Sequence, residues 1–265
     1  NLRQLRADGV HFIEPDAGEM ACGTIGPGRL SDPERIVRAA LEILTPPAVA
    51  RDLTRERLLI TVGATREEID PVRFISNRSS GKMGFALAEA ALKRGAAVTV
   101  VAGVTSVDAP AGVRVVKALS AEEMLKAVAS EAGNASLFIG AAAIADYRPA
   151  QRAAQKIKKS NESITLTLER TPDVLSQVAA SRANGMLVVG FAAETENVLE
   201  NAIEKLRSKK LDAIVANDVS RGDSGFDAPT NQITIITTKD SIELPVMSKR
   251  DAADRILDAI VALRQ

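Results

Sequence analysis

The sequence predicts an α/β fold, a doubly wound, Rossmann-like and mostly parallel sheet with helices on both faces. Three observations carry that expectation. Apolar, β-rich runs recur between residues 58 and 218. They are nearly continuous rather than alternating, as strands buried on both faces are. Helical patterns lie between them, which implies right-handed βαβ crossovers.

Residues 1–50 carry a Gly-rich turn, "ACGTIGPGRLSDP", then a helix to Leu44, and "TPPAVARDL" reads as a linker. The first residue is Asn1 rather than Met, so the sequence is expected to start inside a longer protein. The first strand is "LLITVGA" (58–64), followed by a polar loop and a helix over 82–94. Strands "AAVTVVAG" (96–103) and "VRVVKAL" (113–119), helix 120–132 and strand "SLFIGAAA" (136–143) come next. Helix 173–182, strand "MLVVGFAA" (186–193), helix 196–209 and strand "LDAIVAND" (211–218) continue the series. Strand "NQITIITT" (231–238) and a helix from Lys249 to Leu263 close it. The expected division is therefore 1–50 and 51–265. Residues 149–170 interrupt the alternation with a basic stretch and the strand "SITLTLE". The apolar–polar alternation of that strand predicts one buried and one exposed face. It reads as an arm projecting from the sheet to pair with another subunit.

Composition excludes several function classes. Hydrophobic residues are 46% and charged residues 26% of the 265, ordinary for a globular protein. Lys+Arg and Asp+Glu are 34 each, so no bulk basicity points to nucleic acid. One cysteine, Cys22, rules out an intrachain disulfide framework and fits a reducing compartment. No apolar run approaches a membrane span and no opening segment reads as a signal peptide, so the cytoplasm is the expected compartment.

Open parallel sheets bind ligands outside the carboxyl ends of their strands, and five segments could carry chemistry there. After the first strand, Ser79-Ser80-Gly81-Lys82-Met83-Gly84 leads into a helix. Helix N-termini attract phosphate, and Gly81 and Gly84 permit close approach; the plainer reading is a Ser-capped helix with a packing glycine. The spacing is not that of a P-loop, and Gly63-Ala64-Thr65-Arg66 lacks the dinucleotide fingerprint. The second segment is "GAAAIADYRP" (140–149), whose small residues let a flat ring lie against the backbone, with Asp146 placed for a ribose hydroxyl or a metal; tight packing with a surface Asp cap is the alternative. Third are the lysines Lys156, Lys158 and Lys159 on the arm, with Lys205 and Lys209 four apart on one helix. Each is alone a solvated cation, but together they suit a triphosphate. Fourth is "VGFAAET" (189–195), where Phe191 covers a base or sugar, or is core. Fifth is "RTPDVL" (170–175), with Thr171 as the expected cap and Pro172 and Asp173 in a first helical turn. The residues alone imply an α/β protein that binds a phosphorylated nucleotide and leave the reaction open.

Taken together, "TVGATREEIDPVRFISNRSSGKMG" (61–84), "GAAAIADYRP", "QKIKK", "TPDVL", "VGFAAET" and "LDAIVAND" resemble bacterial phosphopantothenoylcysteine synthetase, in the same order over residues 57–265. The front segment "ACGTIGPGRLSDP" resembles the C-terminal tail of the flavin-dependent phosphopantothenoylcysteine decarboxylase, which is commonly fused in front of the synthetase. Residues 1–50 are thus expected to be a decarboxylase remnant plus linker, and 51–265 the ligase.

The resemblance implies CTP-dependent ligation of 4′-phosphopantothenate to L-cysteine through an acyl-cytidylate, releasing pyrophosphate and then CMP. It assigns Asn77 to the conversion of the acyl-cytidylate, Lys156 to the α-phosphate and Arg73 to the acyl intermediate. Gly140, Ala141 and Ala142 would read cytosine, and Asp146, Thr171, Pro172, Asp173, Val174, Phe191, Lys205, Lys209, Ser80 and Gly81 would make further CTP contacts. Mg²⁺ is expected on the triphosphate, with no metal ligands assigned. The resemblance also implies a homodimer through the 149–170 arm, and a larger homo-oligomer through the decarboxylase domain of the full-length protein. Cys22 matches that domain's catalytic cysteine, but its FMN-binding body and catalytic histidine do not appear in this sequence, where His11 is the one histidine. Decarboxylation by this chain is not expected. The competing readings are a nicotinamide-dependent Rossmann oxidoreductase and a non-catalytic nucleotide-binding dimerisation module. The missing fingerprint and the presence of Asn77 and Lys156 weigh against them.

Overall fold

The computed structural model describes residues 1–7, 10, 12–19, 25–44, 50–159, 163–183, 185–218 and 230–264. Cys22 and the centre of the expected linker, 45–49, lie outside the described residues. The chain forms two compact units, Asn1–Ala50 and Arg51–Gln265.

In the first unit, helix Leu2–Ala7 precedes an antiparallel pair, Asp16–Glu19 with Ile25–Arg29. The predicted helix is Pro33–Leu44. Asp32 accepts the Glu34 N–H at 2.9 Å in front of a proline at the first helical position, where the missing N–H costs nothing.

Labels run within the second unit. Its strands are β1 (Arg57–Val62), β2 (Ala97–Ala102), β3 (Arg114–Lys117), β4 (Leu137–Gly140), β5 (Leu187–Glu194), β6 (Ala213–Asp218), β7 (Ile233–Thr237) and β8 (Ser241–Glu243). The helices are α1 (Lys82–Lys93), α2 (Ala121–Ala132), α3 (Val174–Ser181), α4 (Val198–Ser208) and α5 (Lys249–Ala262). Spatial order across the sheet is 3-2-1-4-5-6-7-8. Strands β1 to β6 are parallel, and β7 and β8 add an antiparallel edge. The first six follow the Rossmann order, as the apolar runs predicted.

Successive residues of a strand point to opposite faces, and the core follows that rule. Leu58, Ile60 and Val62 of β1 pack with Phe85 and Leu87 of α1 and Ile256 of α5. On the other face Leu59 and Phe138 meet Met124 of α2, Val178 of α3 and Leu206 of α4. Both faces are dry, which is why the strands carry no polar alternation. The expected strand 231–238 is divided at Gln232: Thr230–Asn231 pairs with Met247–Ser248, while β7 joins the main sheet.

The arm is separate from the main sheet. Its base is a short antiparallel ladder of Tyr147–Pro149 with Leu168–Arg170. Residues 163–167 have no ladder partner among the described residues, and 163–170 are exposed on both faces. Within one chain no sheet lies beneath Ile164, Leu166 and Leu168, so the alternating pattern buries neither side.

Helix α1 sits unusually close to β1. A Cβ at Gly84 would meet Val62 Cγ2 at 2.6 Å and Cγ1 at 3.0 Å. Gly84→Ala is therefore expected to destabilise the fold by about 1–3 kcal/mol, as overpacking does. Urea denaturation checks this; an unchanged midpoint would show that the helix can lift without cost.

Candidate functional site

Strands β1 and β4 are neighbours, but the chain leaves them toward opposite faces, to α1 and α3 respectively. The crevice between their carboxyl ends is a topological switch point, where open α/β sheets bind ligands.

The loop after β4 is stitched to the end of β1. Ala141 N–H donates to the Thr61 carbonyl at 3.2 Å, and Ala143 N–H to the Gly63 carbonyl at 2.8 Å. Ala142 and Ala145 donate to the hydroxyls of Thr61 and Thr65, at 3.3 and 3.0 Å. Asn77 Nδ2 donates to the Ile144 carbonyl at 3.0 Å and Thr171 Oγ1 to the Ala145 carbonyl at 2.6 Å. The predicted segments 61–84, 140–149 and 170–175 thus meet on one loop.

Two adjoining cavities, about 420 and 510 Å³, open along this edge. Gly140, Ala142, Asp146, Thr171, Pro172, Asp173, Val174, Phe191, Lys205 and Lys209 line the first. Asn77, Ser79, Ser80, Gly81, Lys82, Met83, Gly84 and Ala141 line the second. Ala142, Ile144, Asp146, Phe191 and Lys205 belong to both, so the cavities meet there.

The helix ends on this cleft differ. Gly81 holds the N-cap position of α1 with φ of 79°, a left-handed conformation suited to glycine, and no side chain caps the helix. The Ser-capped reading of this loop does not hold. An uncapped N-terminus keeps backbone N–H groups and the positive dipole end available to an anion. Helix α3, by contrast, is capped by Asp173, which accepts from Ser176 N–H at 2.9 Å and Ser176 Oγ at 2.8 Å. Thr171 is not the cap, because its hydroxyl is engaged by Ala145.

Charge is arranged in tiers. Lys209 is paired with Asp173. Burial pushes the Asp173 carboxyl up, but Lys209 and the Ser176 bonds outweigh it and hold the pKa below 3.8. Lys205 Nζ donates to the Phe191 carbonyl at 3.0 Å. Burial first, then the Lys209 charge, lowers its pKa from 10.5, against opposition from Glu194, Asp173 and Asp146.

Arg73 and Lys156 line neither cavity. Arg73, in the turn before Phe74–Ser76, donates to the carbonyl of Ile157, the neighbour of Lys156, and Lys156, Lys158 and Lys159 are exposed. The structure adds Asn217, Asn231 and Lys249 to the second cavity, which sequence reasoning missed. Lys249 opens α5 and is 7% exposed. A lysine in the first turn of a helix opposes the dipole, and its burial here comes from packing that the sequence does not display. Asn231 Oδ1 is buried without a hydrogen-bond partner. Among the described residues no group of three or more His, Cys, Asp or Glu is placed to hold a metal ion. Asp146 is an oxygen donor lining both cavities, compatible with a Mg²⁺ delivered on phosphates rather than held in a protein cage. No helix among the described residues is long and apolar enough to cross a membrane.

Sheet order and crevice define a Rossmann-type α/β protein with an anion-ready cleft at the switch point. The family described as DNA/pantothenate metabolism flavoprotein C-terminal domain matches residues 53–263, and the chain belongs to that family. The coenzyme A biosynthesis bifunctional protein CoaBC of Vibrio vulnificus (strain CMCP6) is 43% identical over 265 residues, which are 99% of this chain and 65% of that protein. The chain thus spans just under two thirds of that relative's length. A crystal structure of the C-terminal domain of CoaBC superposes with a TM-score of 0.70 at 40% identity, covering 81% of this chain and 98% of the other. The chain is homologous to that C-terminal, synthetase domain, as the motifs indicated. A Cab2 mutant in complex with phosphopantothenate-cysteine gives a TM-score of 0.63 at 20% identity, covering 86% of this chain and 92% of the other, a likeness of fold.

Lys205 favours an anion only while protonated, so affinity should fall as pH rises through its lowered pKa. Calorimetry with inorganic tripolyphosphate is expected to show this loss below pH 10.5, the ordinary lysine value. Lys205→Arg should flatten the profile. An affinity constant up to 10.5 in the parent chain would contradict the assignment.

Proposed function

We propose that this chain ligates 4′-phosphopantothenate to L-cysteine at the expense of CTP, as a step in coenzyme A biosynthesis. The observation that carries the reading is the cleft itself, where Asn77, the 140–146 loop and Lys205 converge on an uncapped helix end. Homology to the C-terminal domain of CoaBC supports it, as does a fold relative solved with phosphopantothenate-cysteine.

In this reading the base lies on the 140–142 loop. The N–H groups of Ala141 and Ala142 are already bonded to Thr61, so recognition falls to carbonyl oxygens, which accept from the cytosine amino group. Asp146 takes a ribose hydroxyl, and Phe191 covers the ring or sugar. Lys205, with the α1 N-terminus at Ser80 and Gly81, receives the phosphates, and Lys209 holds Asp173 beside them. Thr171, Pro172 and Val174 complete that wall. Mg²⁺ supplies charge neutralisation on the triphosphate when bound. The carboxylate of phosphopantothenate attacks the α-phosphorus and pyrophosphate leaves. The cysteine amine then attacks the acyl carbon, and CMP leaves as the amide forms and the ammonium proton is lost. Asn77 already donates one amide hydrogen to Ile144, which fixes its orientation. The other hydrogen serves the oxygen that gains charge during amine attack.

Arg73 and Lys156 stabilise the acyl phosphate. They lie outside both cavities of their own chain, and the arm exposes Ile164, Leu166 and Leu168. Both facts support a homodimer in which the 149–170 arm reaches a second copy. We assign residues 1–50 to the end of a decarboxylase domain whose FMN-bearing body builds a larger oligomer, and the whole to the cytoplasm.

With CTP, Mg²⁺, phosphopantothenate and cysteine, the folded protein is expected to form CMP and pyrophosphate; formation of neither overturns the reading. Asn77→Ala should slow product formation about 100–1000-fold and accumulate the acyl-cytidylate. Quench-flow detection of rapid turnover in that variant would remove Asn77 from its role. Lys156→Ala should lower kcat with little change in the KM for CTP; the reverse split would make it a binding residue only.

A further inference from the structure

Asp70 lies outside the cleft, in the turn joining the short strands Arg66–Glu68 and Phe74–Ser76. Its side chain is wholly shielded from solvent, whereas that of Arg73 is 45% exposed. One carboxylate oxygen accepts the N–H groups of Val72 and Arg73, each at 2.8 Å. The other accepts Arg73 Nη1 at 2.9 Å and the N–H of Ile157 at 3.1 Å. The same Arg73 nitrogen also donates to the Ile157 carbonyl at 3.1 Å. A little before it, Ala153 N–H donates to the Ile69 carbonyl at 2.9 Å. A shielded carboxylate is costly unless its lone pairs are filled, and here all the donors come from two segments far apart in sequence. Burial raises the Asp70 pKa, but the three N–H groups and the Arg73 charge outweigh it and hold the group ionised.

We propose that Asp70 is a positioning residue that locks Arg73 and the Lys156–Ile157 backbone into one rigid unit. Two cations acting on one acyl phosphate must keep a fixed separation, because their value depends on alignment with charge that appears only in the transition state. Asp70 supplies that separation from behind, without touching substrate. The inference rests on the ligase reading for the roles of Arg73 and Lys156. The clamp itself rests on the bonds just described.

Asp70→Asn is nearly isosteric and tests it. If its carbonyl keeps the Val72 and Arg73 N–H groups, its amide confronts the Ile157 N–H and the Arg73 guanidinium, donor against donor. Release of the segment is read by limited trypsin digestion, since Arg152, Lys156, Lys158 and Lys159 are cleavage sites on or beside it. Cleavage there is expected to be at least about tenfold faster, while the thermal transition stays in place. Turnover should fall on the order of 10–100-fold with an unchanged KM for CTP. Combining Asp70→Asn with Lys156→Ala should lose less than the sum of the two single losses, because only Arg73 is then left for the clamp to position. If Asp70→Asn lowers the thermal transition, Asp70→Ser substitutes for it, keeping a hydroxyl for the 72–73 turn while freeing Ile157.

Unchanged trypsin cleavage overturns the clamp. Faster cleavage with parental turnover, or fully additive losses in the double variant, overturns the positioning role. A parent chain that makes no CMP fails the ligase reading instead, and the digestion still decides the clamp.

Discussion

Two buried hydroxyls, those of Thr61 and Thr65, hold the geometry on which the cleft depends. Both residues are essentially inaccessible, at 1% and 0% exposure, in a strand end that is otherwise apolar. A buried polar side chain is tolerated when it is bonded, and each of these accepts one N–H from the loop after β4. The loop backbone bonds to Thr61 and Gly63 through Ala141 and Ala143, and the two hydroxyls take the N–H groups of Ala142 and Ala145 that those bonds leave over. With the loop fixed, Asn77 is oriented from one side through Ile144, and the 170–173 turn is drawn in from the other through Ala145. The apolar packing supplies the stability, and these few bonds decide where functional groups stand.

The same edge shows how a formally neutral chain, with 34 positive and 34 negative side chains, builds a local site for an anion. Net charge contributes nothing here; the field comes from placement. Helix α3 starts at its own carboxylate, which takes the Ser176 N–H, and that carboxylate in turn holds Lys209. Helix α1 ends in a left-handed glycine and offers its dipole unshielded by any cap. Lys205 stands where the two cavities meet, its pKa lowered by burial and by Lys209, with Glu194, Asp173 and Asp146 opposing. The arrangement is anion-seeking at one end and self-neutralised at the other.

The fold was legible because burial on both faces removes the polar alternation that other strands show. Leu58, Ile60 and Val62 feed one core and Leu59 the other, so apolar residues fall on both faces of the strand. The edge strand Ser241–Glu243 carried no such pattern, being exposed throughout, and it was not anticipated. Alternation over 163–169 was read as half-burial, but a pattern states what a segment can bury, not what its own chain offers it. The cap of α3 shows a second limit. Thr171 and Asp173 are both capable caps, and the choice is made by a bond to Ala145, 26 residues away. The burial of Lys205, and the inclusion of Asn231 and Lys249 in the cleft, are likewise products of packing between distant elements.

The separation of Arg73 and Lys156 from the cleft of their own chain has an electrostatic logic. Lys205 is already lowered by burial and by Lys209, and a further cation fixed nearby would lower it again. On the proposed reading, where Lys205 meets phosphate, such crowding would further weaken its hold on the proton. On the same reading, mounting the two cations on a separate base, with Asp70 as the counter-charge of Arg73, avoids this. Arg73 keeps a carboxylate at 2.9 Å while no substrate is near. On the proposed ligase reading, the arm then adds positive charge to a cleft that already contains phosphates, when that charge is stabilising rather than disruptive. The shielded carboxylate and the exposed arm are in this sense one device, and the order in which charge is assembled follows from where each group is anchored.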